Sequence, residues 1–305
     1  MERIEKALKH GITSFLELNK GNVEIPESIQ INGKEIVFNA LQDNHIGYDL
    51  GYIHDFGAFE NCMHLTGIKF PKTIKTIGDR TFAYCCNLKE IEIPAHITQV
   101  SSSDCNGITD DEYYYYEEYR KALFAECNNL TSIKVSSDNP VYDSRKNCNA
   151  IIETKTNILV AGCKNTKIPN DIVAISDSAF NECEKLTNIE LPSSIIAIGS
   201  GAFRECRGLS SITIPSSVIH IGEEVFKGCT SLSEVNWESP IRPTKTMLEN
   251  IFFACPNLQS INYHGVKIEL KSTNLDKVID DAHTPTANEP IASLDDVIKT
   301  AGNGR

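Results

Sequence analysis

The chain has 305 residues and a formal charge of −12, from 29 Lys and Arg against 41 Asp and Glu. That balance excludes a binder of phosphate backbones, which needs a basic face to displace counterions, and no Lys/Arg run supplies one locally. Hydrophobic residues make up 41%, enough for a sizeable core, while the longest apolar stretches are strand-sized, far short of the roughly 20 residues that cross a bilayer.

In chain order, the opening MERIEKALKHGI is a charged, helix-like segment. It has no apolar centre and no small-residue cleavage site, so it is not a secretory signal. The expected location is cytoplasmic for the chain as given, and cell surface or secreted if a signal lies outside it. Residues 1–56 combine this polar helix with strand-like pieces such as KEIVFNAL. They suit an N-terminal cap, since a first coil would otherwise expose its core and an unpaired edge.

From Phe59 onward a phrase recurs. Phe59 and Phe82 are 23 residues apart, as are Phe180, Phe203 and Phe226, and further copies begin at Phe124 and Phe252. Cys62, Cys85, Cys127, Cys183, Cys206, Cys229 and Cys255 keep step, as do Leu65, Leu88, Leu130, Leu186, Leu209, Leu232 and Leu258. The unit reads F-x-x-C-x-x-L-x-x-I-x-I-P-x-x-I-x-x-I-G. Its L-x-x-I-x-I portion ends in alternation, which predicts a short strand with Ile on one face. Proline at 71, 94, 169, 192 and 215 ends that strand, because it has no N–H for a ladder. The following I-x-x-I-G carries the chain back along the far side, with Gly78, Gly199 and Gly222 expected at positive φ. The A-F-x-x-C piece is too short for a true helix and reads as one helical or 3₁₀ turn. A single unit cannot bury its apolar side; stacked units share a continuous core.

Two stretches break the step. Phe82 to Phe124 is 42 residues, 19 more than one repeat, and holds DCNGITDDEYYYYEEYRKALF. Tyr113, Tyr114, Tyr115 and Tyr116 cannot all be buried in either a helix or a strand, so some phenols must face water. They either contact a partner, which tyrosine does efficiently, or lie half covered on the flank. Phe124 to Phe180 is 56 residues, two repeats plus ten, and includes NPVYDSRKNCNAIIETKTNILVAGCKNTKIP. Residues 149–153 and 158–161 are expected to pair as a hairpin across TKTN, with the solenoid resuming at Lys167. Beyond Tyr263 the phrase stops.

This wording resembles the BspA-like (treponemal-type) leucine-rich-repeat family, over about 59–263. The resemblance implies an α/β-type repeat solenoid: a horseshoe or arc of ~23-residue repeats with short parallel strands on the concave face and short turns or 3₁₀ segments on the convex side. The domain division expected is an N-terminal cap at 1–56, a solenoid at 57–265 with insertions at about 101–120 and 139–163, and a C-terminal cap and loose tail at 266–305. The resemblance also implies adhesion or attachment through protein or glycan recognition.

The residues flanking the middle Ile of each strand are expected on the concave face. One column reads Gly67, Glu90, Ser132, Asn165, Asn188, Ser211, Glu234, Ser260; its neighbour reads Lys69, Glu92, Lys134, Lys167, Glu190, Thr213, Asn236, Asn262. These are small, polar and mixed in charge, without aromatic anchors. From them the candidate binding surface takes Glu90, Glu92, Lys134, Lys167, Asn188, Glu190, Ser211, Thr213, Glu234 and Asn236, together with Tyr113 to Tyr116. Trp237 aligns with Ile214 and Leu191, an inward column, and is expected in the core.

Eleven cysteines cannot all pair internally. Those in the repeat column are expected as free thiols packed like small hydrophobes. Coils about 5 Å apart allow a disulfide in principle, but one ligand per coil does not converge on a metal tetrahedron. Cys105 and Cys148, on the insertions, are expected to be the reactive ones. The eight histidines are scattered and fit no nucleophile–base pattern, and there is no Gly loop for phosphates. The chain therefore reads as a non-enzymatic binding module with no cofactor, monomeric by default. Its partner is a protein or glycan; the rival is an intracellular scaffold or effector-like protein binding a cytosolic protein.

Overall fold

The computed structural model describes residues 21–24, 28–31, 34–37, 40–41, 59–100, 122–271 and 278–279. The chain begins with β1 (Gly21–Glu24), β2 (Ser28–Ile31), β3 (Lys34–Val37) and β4 (Ala40–Leu41). Next come β5 (Leu65–Lys69), β6 (Thr76–Ile77), β7 (Glu90–Ile93), β8 (Gln99–Val100), β9 (Ser132–Val135) and β10 (Tyr142–Asp143). A hairpin of β11 (Ala150–Glu153) and β12 (Ile158–Gly162) leads to β13 (Ala174–Ile175), β14 (Ala197–Ile198), β15 (Ser211–Ile214) and β16 (His220–Ile221). The chain then continues through β17 (Glu234–Trp237), α1 (Lys245–Ile251), β18 (Ser260–Tyr263) and β19 (Val266–Glu269).

The longer strands form the face expected to be concave. β1 pairs parallel with β5, β7 with β9, and β15 with β17 and then β18, so neighbouring coils lie in register. Residues 165–168 and 188–191 occupy the same place in their coils without strand pairing among the described residues. The far side carries the expected turns and, between them, a second parallel ladder of very short strands. β4, β6 and β8 form one part of it, and β12, β13, β14 and β16 another. Five of the crossings between faces are made by a proline: the carbonyl of Pro71, Pro94, Pro169, Pro192 or Pro215 accepts from the N–H three residues on, at 3.0–3.2 Å. Proline thus stops one strand and opens the turn to the next.

The glycines act differently from expectation. Gly78, Gly199 and Gly222 are absent from the positive-φ residues; in four coils the left-handed positions near this turn fall two residues before the phenylalanine, at Arg80, Ser178, Gly201 and Glu224. A second left-handed residue follows each phenylalanine by two, at Asn61, Tyr84, Glu126, Glu182, Glu205, Gly228 and Ala254. What Gly199 and Gly222 supply is closeness. A Cβ on either would lie 2.4 Å from the backbone nitrogen of Asp177 or Ser200 in the preceding coil. Between the two left-handed residues the A-F-x-x-C piece is a turn, closed by a bond from each cysteine N–H to the phenylalanine carbonyl.

Inside, the phenylalanines stack. Phe59, Phe82 and Phe124 lie 5.6 and 5.9 Å apart between ring centroids, and Phe180, Phe203, Phe226 and Phe252 lie 5.1, 5.5 and 5.7 Å apart. The spacing follows the rise between coils, and the offset stacking is favourable for aromatic rings. Trp237 is fully buried, its indole N–H donating to the carbonyl of Ile241 at 3.1 Å. The hydrophobic interior divides into two main clusters, one from Phe59 to Val100 and on to Tyr142, the other from Cys148 to Ile279. The β11–β12 hairpin is the partition: Ile151 and Ala161 pack into the first cluster, Ala150, Ile152 and Leu159 into the second.

Candidate recognition face

The column cysteines do not form a site; they tie coils together. The Sγ of Cys85, Cys127, Cys206, Cys229 and Cys255 donates to the phenylalanine carbonyl of the preceding coil at 2.9–3.2 Å. Burial pushes these thiols well up, and Cys183 up to about 12. They are poor nucleophiles as a result. Cys148 corrects the expectation that it would react early: it is buried, with its thiol pushed up to about 11 by desolvation. Cys105 lies outside the described residues. Among the described residues no group of three or more His, Cys, Asp or Glu is placed to hold a metal ion, and no helix is long and apolar enough to cross a membrane.

Where these strands form, the polar columns sit on the long-strand ladder, whereas Asn165, Lys167, Asn188 and Glu190 lie in segments without strand pairing. Glu90 pairs with Ser132 and Glu92 with Lys134, Ser211 with Glu234 and Thr213 with Asn236, while Asn236 continues to Asn262. Behind them, Ile91, Ile93, Ile133, Ile212, Ile214, Val235 and Trp237 are buried from the same strands. Alternation thus fixes each polar side chain on a rigid support.

Two shallow depressions gather the candidates. One, of about 470 Å³, is lined by Glu90, Glu92 and Lys134 with Lys69, Asn22 and Glu24. The other, of about 340 Å³, collects Asn188, Glu190, Ser211, Thr213, Glu234 and Asn236. It lies where residues 188–191 leave the ladder next to β15. A chain of side-chain bonds orders its rim, from Asn262 Nδ2 to Asn236 Oδ1 at 3.1 Å and from Asn236 Nδ2 to Glu234 Oε1 at 3.4 Å. The first depression alternates cations and carboxylates; the second lining has two carboxylates and no cation. Lys167 is exposed but borders neither. Tyr113, Tyr114, Tyr115 and Tyr116 lie outside the described residues. Asn22 and Glu24 extend the face and were missed in the sequence, although NVEIPESI repeats the x-I-x-I-P-x-x-I pattern with Val for the first Ile and with Phe15 one residue out of step before it.

The turn edge carries a different chemistry. Arg80 meets Glu60 at 2.6 Å, and Arg207 reaches Glu184 at 2.5 Å and Glu205 at 3.1 Å. Asn128 Nδ2 bridges Glu126 and Glu184 at 2.9 and 3.0 Å, across the step from the Phe124 coil to the Phe180 coil. Desolvation, then the neighbouring carboxylates of Glu184 and Glu182, push the Glu126 carboxyl above its ordinary range; burial does the same to Glu182. These groups interlock adjacent coils.

Six copies of the BspA type leucine rich repeat region match this chain, over residues 11–109, 57–154 and 160–274. No curated protein matches it. Among solved structures, a leucine-rich repeat protein from Eubacterium ventriosum is 20% identical with a TM-score of 0.46, over 68% of this chain and 62% of that one. A leucine rich cell surface protein from Faecalibacterium prausnitzii is 17% identical with a TM-score of 0.42, over 88% and 92%. A leucine-rich repeat protein from Bacteroides ovatus is 22% identical with a TM-score of 0.37, over 79% and 68%. With the family model spanning nearly the whole described array, and the coils showing its Phe, Cys, Leu and Pro in register, this chain belongs to the BspA type leucine-rich-repeat family.

Proposed function

We propose that the chain is a non-enzymatic recognition module for adhesion or attachment, whose long-strand face contacts a protein or glycan partner. The observation that carries this reading is the division of labour within each strand. Ser211, Thr213, Glu234 and Asn236 stand outward in two columns while Ile212, Ile214, Val235 and Trp237 hold the same backbone from behind. A rigid surface with exchangeable side chains is suited to binding. The test is capture of partners from matrix proteins, cell surfaces and glycan panels by the intact chain, repeated with Thr213→Arg and Glu234→Arg. Loss of a captured partner with an unchanged melting temperature supports the face; capture undiminished in both variants removes it.

The second reading is an intracellular scaffold or effector-like protein with a cytosolic protein partner. It is favoured by the column thiols, buried and hydrogen-bonded to carbonyls of the preceding coil as a reduced chain needs them. Enrichment of cytosolic rather than matrix proteins in the same capture supports it.

A further inference from the structure

The last strand of the long-strand ladder ends in an arrangement the repeat does not require. β18 and β19 form a hairpin whose two loop residues, His264 and Gly265, have φ of 48° and 85°. Such a turn makes Tyr263 and Val266 a hydrogen-bonded pair. The phase then alternates. Val266 and Ile268 bond inward to β18, whereas the N–H and C=O groups of Lys267 and Glu269 point away from it. In the four-stranded sheet β19 is terminal, and among the described residues no strand pairs with its outer edge. An edge of this kind is a template for another strand.

The edge is self-complementary. Lys267 and Glu269 stand on the polar face, 71% and 53% exposed at the side chain, and their opposite charges, two residues apart, meet at 2.6 Å within the strand, a pair that a second copy would extend across the edge. If a second copy of β19 runs antiparallel about a two-fold axis at Ile268, each Lys267 lies opposite the partner's Glu269. Among the described residues nothing pairs with their outward backbone groups, so that register gives hydrogen-bonded pairs and attractive charge pairs at the same positions. Slipping the register by two residues in either direction places Lys267 against its own copy, or Glu269 against its own. In the matched register Val266, 41% exposed in the single chain, faces the partner's Leu270. A lone charged residue on an edge discourages pairing; this spacing of two opposite charges selects one pairing.

We propose that the outer edge of β19 joins two copies of this chain as an antiparallel, two-fold dimer centred on Ile268. This goes beyond the recognition reading and does not depend on what the face binds. The two ladders then become one continuous sheet, with the two acidic depressions on either side of the axis. Four residues per strand give a small contact, so the association is weak and rises with concentration.

The experiment is analytical ultracentrifugation of the full chain from low micromolar to millimolar concentration, with Lys267→Glu, Glu269→Lys, their mixture, and the double exchange in one chain. Wild type should shift from monomer to dimer as concentration rises. Each single reversal should weaken association roughly tenfold or more, since two attractive cross-strand pairs become repulsive. The mixture of the two reversals should associate again, and so should the double exchange. Equal melting temperatures for all four proteins exclude damage to the fold. A wild type that stays monomeric throughout, as when its own C-terminal segment covers the edge, overturns the proposal. So does dimerisation undiminished by the single reversals, or a mixture that stays monomeric.

Discussion

On either side of the β11–β12 hairpin the same repeat builds a core, and the two cores differ in how strictly the chain keeps time. In the C-terminal half Phe180, Phe203 and Phe226 follow at 23 residues each, and their rings stack at 5.1 and 5.5 Å. In the N-terminal half 42 residues separate Phe82 from Phe124, yet those rings still stack, at 5.9 Å. The stack is thus set by the rise between coils and not by the length of chain that closes each one. The longer sequence interval between Phe82 and Phe124 leaves the column in step. The partition works in the same way: alternation along β11 sends Ile151 into one core and Ile152 into the other across a local bulge.

The largest effect should come from breaking a stack in its regular half. Phe203→Ala should lower stability by about 3–5 kcal/mol, and Leu209→Ala or Ile212→Ala by about 2–5 kcal/mol, in urea denaturation. Hydrogen exchange should quicken first in the coils around residue 203, leaving the Phe59–Phe124 stack protected. Ser211→Ala and Thr213→Ala should change the midpoint little. Comparable losses in the two sets would mean that inward and outward columns had been exchanged.

The next effect tests the close approach of coils. Gly199→Ala and Gly222→Ala should each cost about 1–3 kcal/mol, because a Cβ at these positions meets backbone that cannot turn aside. Gly201→Ala meets only ordinary contacts, Ser178 Oγ at 3.6 Å and Arg204 Cβ at 3.8 Å, but a φ of 59°, and should cost about 1 kcal/mol by strain. Gly201→Asn, which tolerates that conformation, should recover part of the loss, whereas Gly199→Asn should recover none.

A smaller effect sharpens the contrast at the join between halves. Glu126 and Glu182 hold carboxyls above their ordinary range. The folded protein therefore keeps protons that the unfolded chain has released, and stability falls as pH rises from about 4.3 through the raised values. Mild acidification into that window should tighten the join. Asp143 and Asp171 run the other way: Arg145 holds both carboxyls below the usual range, and their contribution is lost only as pH falls below that of free aspartate. Glu126→Gln and Glu182→Gln should flatten the first slope in melting curves and leave the acid limb intact; a slope unchanged in both places the responsible groups elsewhere.

The smallest effect on stability accompanies a clear kinetic order. Among the described cysteines, Cys86 should be alkylated first in the native protein, because it is partly exposed and lies outside the thiol column. Cys183 should follow and Cys206 come last, as read by mass spectrometry of peptides. Rapid labelling of Cys206 would show that the turn-edge coils open locally.

Much of this was legible because the repeat samples each position several times. The registers of Ser211 with Glu234 and of Glu90 with Ser132, the burial of Trp237, and the hairpin within the irregular coil all follow from spacing and alternation. The far-side ladder was not legible, since two-residue strands such as β13 and β14 are too short to show a period of two. Nor were the left-handed positions, because charged residues such as Arg80, Glu182 and Glu205 occupy them where sequence habit looks for glycine. Cys148 shows the same limit: its place on an irregular coil suggested exposure, but that coil is the partition, and a partition is buried on both sides.

The Pro-x-x-Ile crossings also decide how the molecule responds to load. A coil of 23 residues spans at most about 80 Å when drawn straight, yet stacked coils advance only about 5 Å along the array. Tension applied between the ends therefore meets a series of short ladders that can be peeled singly, each releasing a long length of slack. Extension in even steps follows for the 23-residue coils from Phe180 to Phe226, with the two-faced hairpin marking the point where uneven steps give way to even ones.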